Sequence, residues 1–323
     1  MTSIFRRFAS LLGMAAIVLF FWFNLPETFM TARNWLNISQ QVSMLMVVAV
    51  AMTVVMAMND FDLSVGAMAS LAGVVAAMLF SQGWGIGAGI AAALAVGLLG
   101  GALNGFLIAG IGILPFVATL ATMTIFSGAA MIVSGGSTIF GSAIPAEFGN
   151  FARGGIPLWE VDGRITRLPA LTVVALIIAA LLWLVLEQTS YGRRLYAIGG
   201  NAVAARLAGV RVAWLRASAF AFTGVGAAIA GLMYASRVAS ANPVQGDGLM
   251  LNAIAAVFLG MTLTQNGQPK ILATIAGVFT LAVLENGLTQ MRVDSYVSKV
   301  LVGVIIVLAV SLSAISRKRA ARG

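Results

Sequence analysis

The chain contains no cysteine and no histidine, and only 9% of its 323 residues are charged. The first absence removes disulfides and thiolate nucleophiles, and the second removes imidazole bases and the commonest ligands of zinc, copper and haem. Soluble domains carry about 25% charged residues, so the shortage of charge excludes an ordinary soluble domain. Apolar residues take its place: 60% of the chain is hydrophobic and the mean hydropathy is +1.01. Apolar runs of about 16 to 25 residues recur along it, which reads as one helical membrane domain over 1–323. A membrane-embedded enzyme is disfavoured, because no His, Cys or clustered carboxylate set is present for catalysis. No G-x-x-x-x-G-K-S/T phosphate loop and no metal constellation occur either. The glycines of "YAIGGN" lack the strand and helix context of a dinucleotide site.

Ten helical spans are predicted, over 8–25, 42–58, 65–80, 84–111, 114–133, 169–186, 214–236, 251–263, 271–291 and 296–315. The basic, then apolar start "MTSIFRRFASLLGMAAIVLFFWFNL" resembles a secretory signal, but no small-residue cleavage site follows before "PETFM". It is read as an uncleaved first span. The net charge of +9 sits between spans and therefore orients the chain, with no need to invoke nucleic acid. Starting from a cytoplasmic N-terminus, the inside loops and ends hold Arg6, Arg7, Arg193, Arg194, Arg206, Arg211, Arg216, Lys270, Arg317, Lys318, Arg319 and Arg322. These are 12 of the 19 basic residues, so both termini are expected inside. Five of them lie in the stretch 187–216 between the sixth and seventh spans, four within the loop around 188–213 and Arg216 just beyond it. The long outside loop, 134–168, balances Arg153, Arg164 and Arg167 against Glu147, Glu160 and Asp162, and reads as a solvated connector with some folded content.

The third and eighth spans, at 16 and 13 residues, are roughly 24 and 20 Å long against a hydrocarbon core of about 30 Å. Each follows acid and glycine or serine punctuation, "DFDLSVG" and "VQGDGLML", and each precedes a longer span ending near Asn-Gly, at Asn104 and Asn286. The separations agree closely: Asp62 and Asn104 are 42 residues apart, Asp247 and Asn286 39. Spans two to five (about 37–133) thus resemble spans seven to ten (about 214–315), crossing in opposite directions, as in inverted-repeat transporters with interrupted helices.

An acid at mid-membrane costs about 2.5 to 3.5 kcal/mol on insertion scales, so Asp60 and Asp62 call for a local reason. Asp62 or Ser64 can cap the short third helix, or the same recess can form a polar gate with Asp247 as its outside counterpart. Glu285 falls inside a predicted helix beside Asn286 and either faces a hydrated cavity suited to a hydroxylated solute or reaches the membrane surface. Thr119, Thr122 and Ser127 form a weaker polar face, since such hydroxyls often bond their own backbone. Met44, Met46, Met52 and Met56 read as packing.

"DFDLSVGA", "NGFLIA", "LPFVATLATM", "YGRRLYAIGGNAVAARLAGVRV" and "LENGLTQ" occur in that order. Together they resemble the membrane permeases of bacterial sugar ABC importers, the group with the ribose, xylose, arabinose and autoinducer-2 permeases, over about 37–311. The resemblance implies an all-α, type II importer fold in the bacterial inner membrane, and a second permease copy, identical or paralogous. It also implies two cytoplasmic ATP-binding subunits, which would hold ATP and Mg, and a periplasmic sugar-binding protein. The permease itself would be non-catalytic. The family's coupling segment to the ATP-binding subunits maps onto Gly199, Gly200, Asn201, Ala204, Ala205, Arg206 and Gly209. Translocation-path candidates are Asp62, Ser64, Asn104, Asp247, Glu285 and Asn286. Two departures stand out: Val203 occupies a position where many relatives have Glu, and "GMTLTQNGQPK" replaces a Gly-Ser-rich stretch while keeping Gly260 and Gly267. "NDFDLSVG" looks closer to the arabinose branch, so the implied substrate is a pentose such as arabinose or ribose, or a related monosaccharide or polyol. An ion-coupled secondary transporter, with Glu285 or Asp62 as the proton site, is the alternative.

Overall fold

In the computed structural model of the chain, the described residues are 3–161, 164–264 and 266–320. Asp162 and Arg322, used above in the loop and orientation arguments, and Gln265 of the altered glycine stretch lie outside them. Thirteen α-helices occur in this range: α1 (Ser3–Asn24), α2 (Ala32–Met56), α3 (Val65–Ser81), α4 (Ile86–Gly105), α5 (Pro115–Ser134), α6 (Ala146–Arg153), α7 (Ala170–Trp183), α8 (Ser190–Gly200), α9 (Ala202–Leu207), α10 (Val212–Val238), α11 (Leu249–Met261), α12 (Ile271–Gln290) and α13 (Ser295–Ala320). Four short strands accompany them: β1 (Ile139–Phe140), β2 (Gly155–Val161), β3 (Arg164–Pro169) and β4 (Ser240–Ala241). Helices α4 and α7 run on as π-helical turns over Phe106–Ile111 and Leu184–Gln188.

Each of the ten apolar runs falls on a helix. By length and hydropathy six of these can cross a membrane: Ala32–Met56, Ile86–Ile111, Pro115–Ser134, Ala170–Gln188, Val212–Val238 and Ile271–Gln290. Shorter apolar stretches among the described residues are Leu12–Asn24 within α1, Val65–Ser81, Leu249–Met261 and Ser295–Ile305 within α13. Helix α2 begins at Ala32, ten residues before the expected start at 42. Asn34, Asn37, Gln40 and Gln41 interrupt the apolar run without interrupting the helix, and Asn34 is anchored by a bond from its Nδ2 to the Phe29 carbonyl, 2.8 Å.

The chain divides into two compact units, 43–253 and 1–42 with 254–323. In the first unit α3 is the centre, with α10, α4 and α5 packed on it. A helix apolar on all sides must be covered on all sides, and 13 of the 17 residues of α3 are buried. Small residues let the neighbours come close: a Cβ on Gly66 would lie 2.5 Å from the Gly246 carbonyl oxygen. Helices α4 and α10 cross with the same device, since a Cβ on Gly97 would lie 2.5 Å from the Gly224 carbonyl oxygen. Met44, Met46, Met52 and Met56 are all buried, as packing requires.

The 134–168 loop is a connector with folded content. It carries α6, the antiparallel β2–β3 hairpin, and β1, which pairs with β4. Ile144 and Phe148 are buried; Phe148 packs its ring 5.0 Å from that of Phe80, and its carbonyl accepts from the Ser236 hydroxyl at 2.5 Å. In the second unit, Phe21 stacks on Phe29 at 5.5 Å, and a Cβ on Gly287 of α12 would collide with the Phe21 ring.

Candidate functional site

Between α2 and α3 the chain runs through residues 57–64 without regular structure, and the polar groups of this connector set the chemistry of the site. Asp62 is 1% exposed. Its Oδ1 accepts the Ser64 backbone N–H at 2.9 Å and the Ser64 hydroxyl at 2.6 Å. Ser64 is the N-cap residue of α3, but neither its side chain nor that of Asp62 caps the helix's own N–H groups. The expected helix cap is instead a turn within the connector: the Ser64 backbone is already helical, φ −81° and ψ −10°, rather than extended as a capping residue requires, and its hydroxyl oxygen is turned to Asn104. The Ser64 oxygen in turn accepts from Asn104 Nδ2 of α4, 2.8 Å, and Asn104 Oδ1 accepts from the Thr122 hydroxyl of α5, 2.6 Å. Asp62, Ser64, Asn104 and Thr122 thus form one buried chain that joins α3, α4 and α5. Burial pushes the Asp62 carboxyl above its ordinary value, partly offset by the Ser64 hydroxyl and N–H and by the Thr223 hydroxyl.

Asp60 is held by an ion pair. Arg216 of α10 donates from Nε to Oδ2 at 2.7 Å and from Nη2 to Oδ1 at 3.3 Å. Burial raises this carboxyl too, against the opposing pull of Arg216. Asn59, next in the connector, donates from Nδ2 to the Gly199 carbonyl at 2.6 Å.

The segment singled out for coupling folds as α8 and α9, separated by Asn201 in extended conformation. Asn201 Oδ1 accepts the N–H groups of Val203 and Ala204, both at 3.0 Å, so this side chain caps α9. On α9 the buried residue is Ala205, while Val203 and Leu207 are 70% and 85% exposed. Ala204, Arg206, Gly200 and Gly209 are also exposed, and Gly209 ends the helix at φ +82°. Helix α8 is fastened to α10 through Tyr191, whose ring meets Trp214 edge-on at 6.4 Å and Phe222 at 5.9 Å, and whose hydroxyl is 2.9 Å from Ser218 Oγ.

The other path candidates sit elsewhere. Asp247 is exposed in the turn before α11; the neighbouring Gly246 is buried, and its N–H donates to Ser70 Oγ at 2.8 Å. Glu285 and Asn286 belong to the second unit. Glu285 is exposed on α12, whereas Asn286 Oδ1 accepts from Asn34 Nδ2 at 3.2 Å and from Gln290 Nε2 at 2.7 Å. Thr119 donates to the Pro115 carbonyl at 2.8 Å, the backbone bond expected of a helical hydroxyl.

A family model described as "Branched-chain amino acid transport system / permease component" matches residues 34–310. Among curated proteins, the chain is 36% identical to the ribose import permease protein RbsC of Bacillus subtilis (strain 168), over 99% of this chain and 95% of that one. It is 35% identical to the ribose import permease protein RbsC of Escherichia coli (strain K12), over 89% of this chain and 87% of that one. With the xylose transport system permease protein XylH of Escherichia coli (strain K12) it shares 32% identity, over 97% of this chain and 92% of that one. No solved structure matches the chain. With a match across most of its length and apolar helices long enough to cross a bilayer, the chain is a multi-pass membrane protein of the branched-chain amino acid transport system / permease component family.

Proposed function

We propose that the chain is the permease subunit of an ATP-driven importer that carries a pentose such as ribose or arabinose, or a related monosaccharide or polyol, across the inner membrane. The observation that carries this reading is the similarity to a ribose import permease along 99% of the chain. In this reading ten spans cross the bilayer, both termini are cytoplasmic, and spans two to five and seven to ten form an inverted pair of half-repeats. A second permease copy, two ATP-binding subunits holding ATP and Mg, and a periplasmic sugar-binding protein complete the importer.

The α8–α9 segment, with Gly199, Gly200, Asn201, Ala204, Ala205, Arg206 and Gly209, docks on the ATP-binding subunits. Its exposed Val203 and Leu207, flanked by exposed Arg193, Arg194, Arg206 and Arg211, suit an apolar cleft with an acidic rim. Closure of those subunits on ATP moves the segment, and the halves switch the path from outside-open to inside-open. Asp62, Ser64, Asn104, Asp247, Glu285 and Asn286 supply the polar groups along or beside that path.

The ion-coupled alternative has less support, because the curated relatives are import permeases and the Asp62 carboxylate is engaged by Ser64. Uptake into energised membrane vesicles separates the two: an ATP-driven importer accumulates sugar only when ATP and the binding protein are supplied. Accumulation driven by an ion gradient alone would reject the importer reading.

A further inference from the structure

Asn59 has a backbone that glycine would serve and a side chain that glycine could not replace. Its φ is +61°, in the left-handed region, where Asn is tolerated and Gly is at ease. Yet Asn59 Nδ2 donates to the Gly199 carbonyl, 2.6 Å away, near the end of α8. Backbone meets backbone at the same place: a Cβ on Gly199 would collide with the Ala57 carbonyl and lie 3.1 Å from Met58 Cα.

The residues that follow Asn59 are tied down just as firmly. Asp60 holds Arg216 of α10, and Asp62 begins the Ser64, Asn104, Thr122 chain through α3, α4 and α5. Hydrogen bonds and ion pairs are directional, so the connector cannot slide along α8 without breaking them, as it could on an apolar contact. We infer that Asn59 is a positioning residue that couples movement of the α8–α9 segment to the 57–64 connector, and through Asp60 and Asp62 to α10, α3, α4 and α5. This rests on the permease reading above, in which α8–α9 receives the movement of the ATP-binding subunits.

The test uses the complete importer, with its ATP-binding subunits, in proteoliposomes loaded with ATP and supplied with the binding protein and sugar. Asn59→Gly preserves the left-handed turn and removes the amide; Asn59→Asp keeps the shape and sets an acceptor against the Gly199 carbonyl. Both are expected to hydrolyse ATP at near the wild-type rate and to unfold within a few degrees of the wild-type temperature, the small shift that one lost hydrogen bond causes. Sugar taken up per ATP hydrolysed falls about fivefold in Asn59→Gly, in keeping with the loss of one hydrogen bond, and further in Asn59→Asp. Wild-type uptake per ATP in both variants would overturn the inference. So would a parallel loss of hydrolysis, uptake and thermal stability, which would make Asn59 structural only. A wild-type complex that hydrolyses ATP without moving sugar would reject the permease reading itself, whereas an active wild type with unaffected variants rejects only the role of Asn59.

Discussion

Arg216 and Asp60 meet in a two-bond fork across 156 residues of sequence, and they are unequally buried: the arginine side chain is 27% exposed and the aspartate 7%. The inequality makes the two halves of the pair unequal in cost. Arg216→Gln leaves a carboxylate buried without its counter-charge, whereas Asp60→Asn leaves a guanidinium that can turn to water. Exposed pairs contribute about 0 to 1 kcal/mol and breaking a buried pair costs about 3 to 5, so Arg216→Gln is expected to destabilise by about 2 kcal/mol and Asp60→Asn by about 1. Chemical unfolding of the detergent-solubilised variants measures both, and the reverse order would contradict the account.

Asp62 gives a pH dependence of definite sign. Its carboxyl is raised by burial, so the unfolded chain loses this proton near 3.8 and the folded chain only at higher pH. Between those values the folded state binds more protons, and stability falls as pH rises through the window, then levels off. Asp62→Asn removes that fall. Unfolding midpoints followed upward from pH 3.8 should show a shallower slope for the variant than for the wild type.

Asn104 bridges two partners whose protons fix its orientation: the Ser64 hydroxyl is spent on Asp62, so the amide must donate to it and accept from Thr122. Asn104→Ala loses both bonds, at about 2 to 3 kcal/mol for a buried bridge. Asn104→Asp adds a second buried acid close to Asp62 and replaces the donor facing Ser64, so it is expected to be the less stable of the two. Thermal unfolding of both variants ranks them.

Gly209 closes α9 in the left-handed region, where the Val210 N–H returns to the Ala205 carbonyl at 3.0 Å. A side chain there costs about 1 to 2 kcal/mol and shifts the end of the helix. Gly209→Leu is expected to abolish sugar uptake while the protein still inserts into the membrane. Uptake assays on membranes with matched permease content check this, and unchanged uptake would remove Gly209 from the coupling segment.

The positions of the apolar helices were legible because burial in a bilayer requires long apolar runs. Asp60 and Asp62 were equally visible, as acids in an apolar stretch. Their partners were not: Arg216 reads as one more orienting cation, and nothing local marks it as the counter-ion of an acid 156 residues earlier. Thr122 was visible as a hydroxyl on a polar face, but hydroxyl spacing does not name an acceptor, and its bond to Asn104 emerges only when α4 and α5 are brought together. Asn201 shows the converse case: its place in a coupling motif was apparent, while its capping of α9 depends on an extended backbone that the motif does not specify.

The central claim is that the chain carries sugar only as part of an ATP-driven complex. Its most direct test is uptake of labelled ribose, arabinose and xylose by proteoliposomes containing the purified permease and its ATP-binding subunits, with the binding protein outside and ATP inside. The account predicts accumulation of at least one of these sugars that stops when ATP, the ATP-binding subunits or the binding protein is left out. Equal uptake by liposomes holding the permease alone would contradict it.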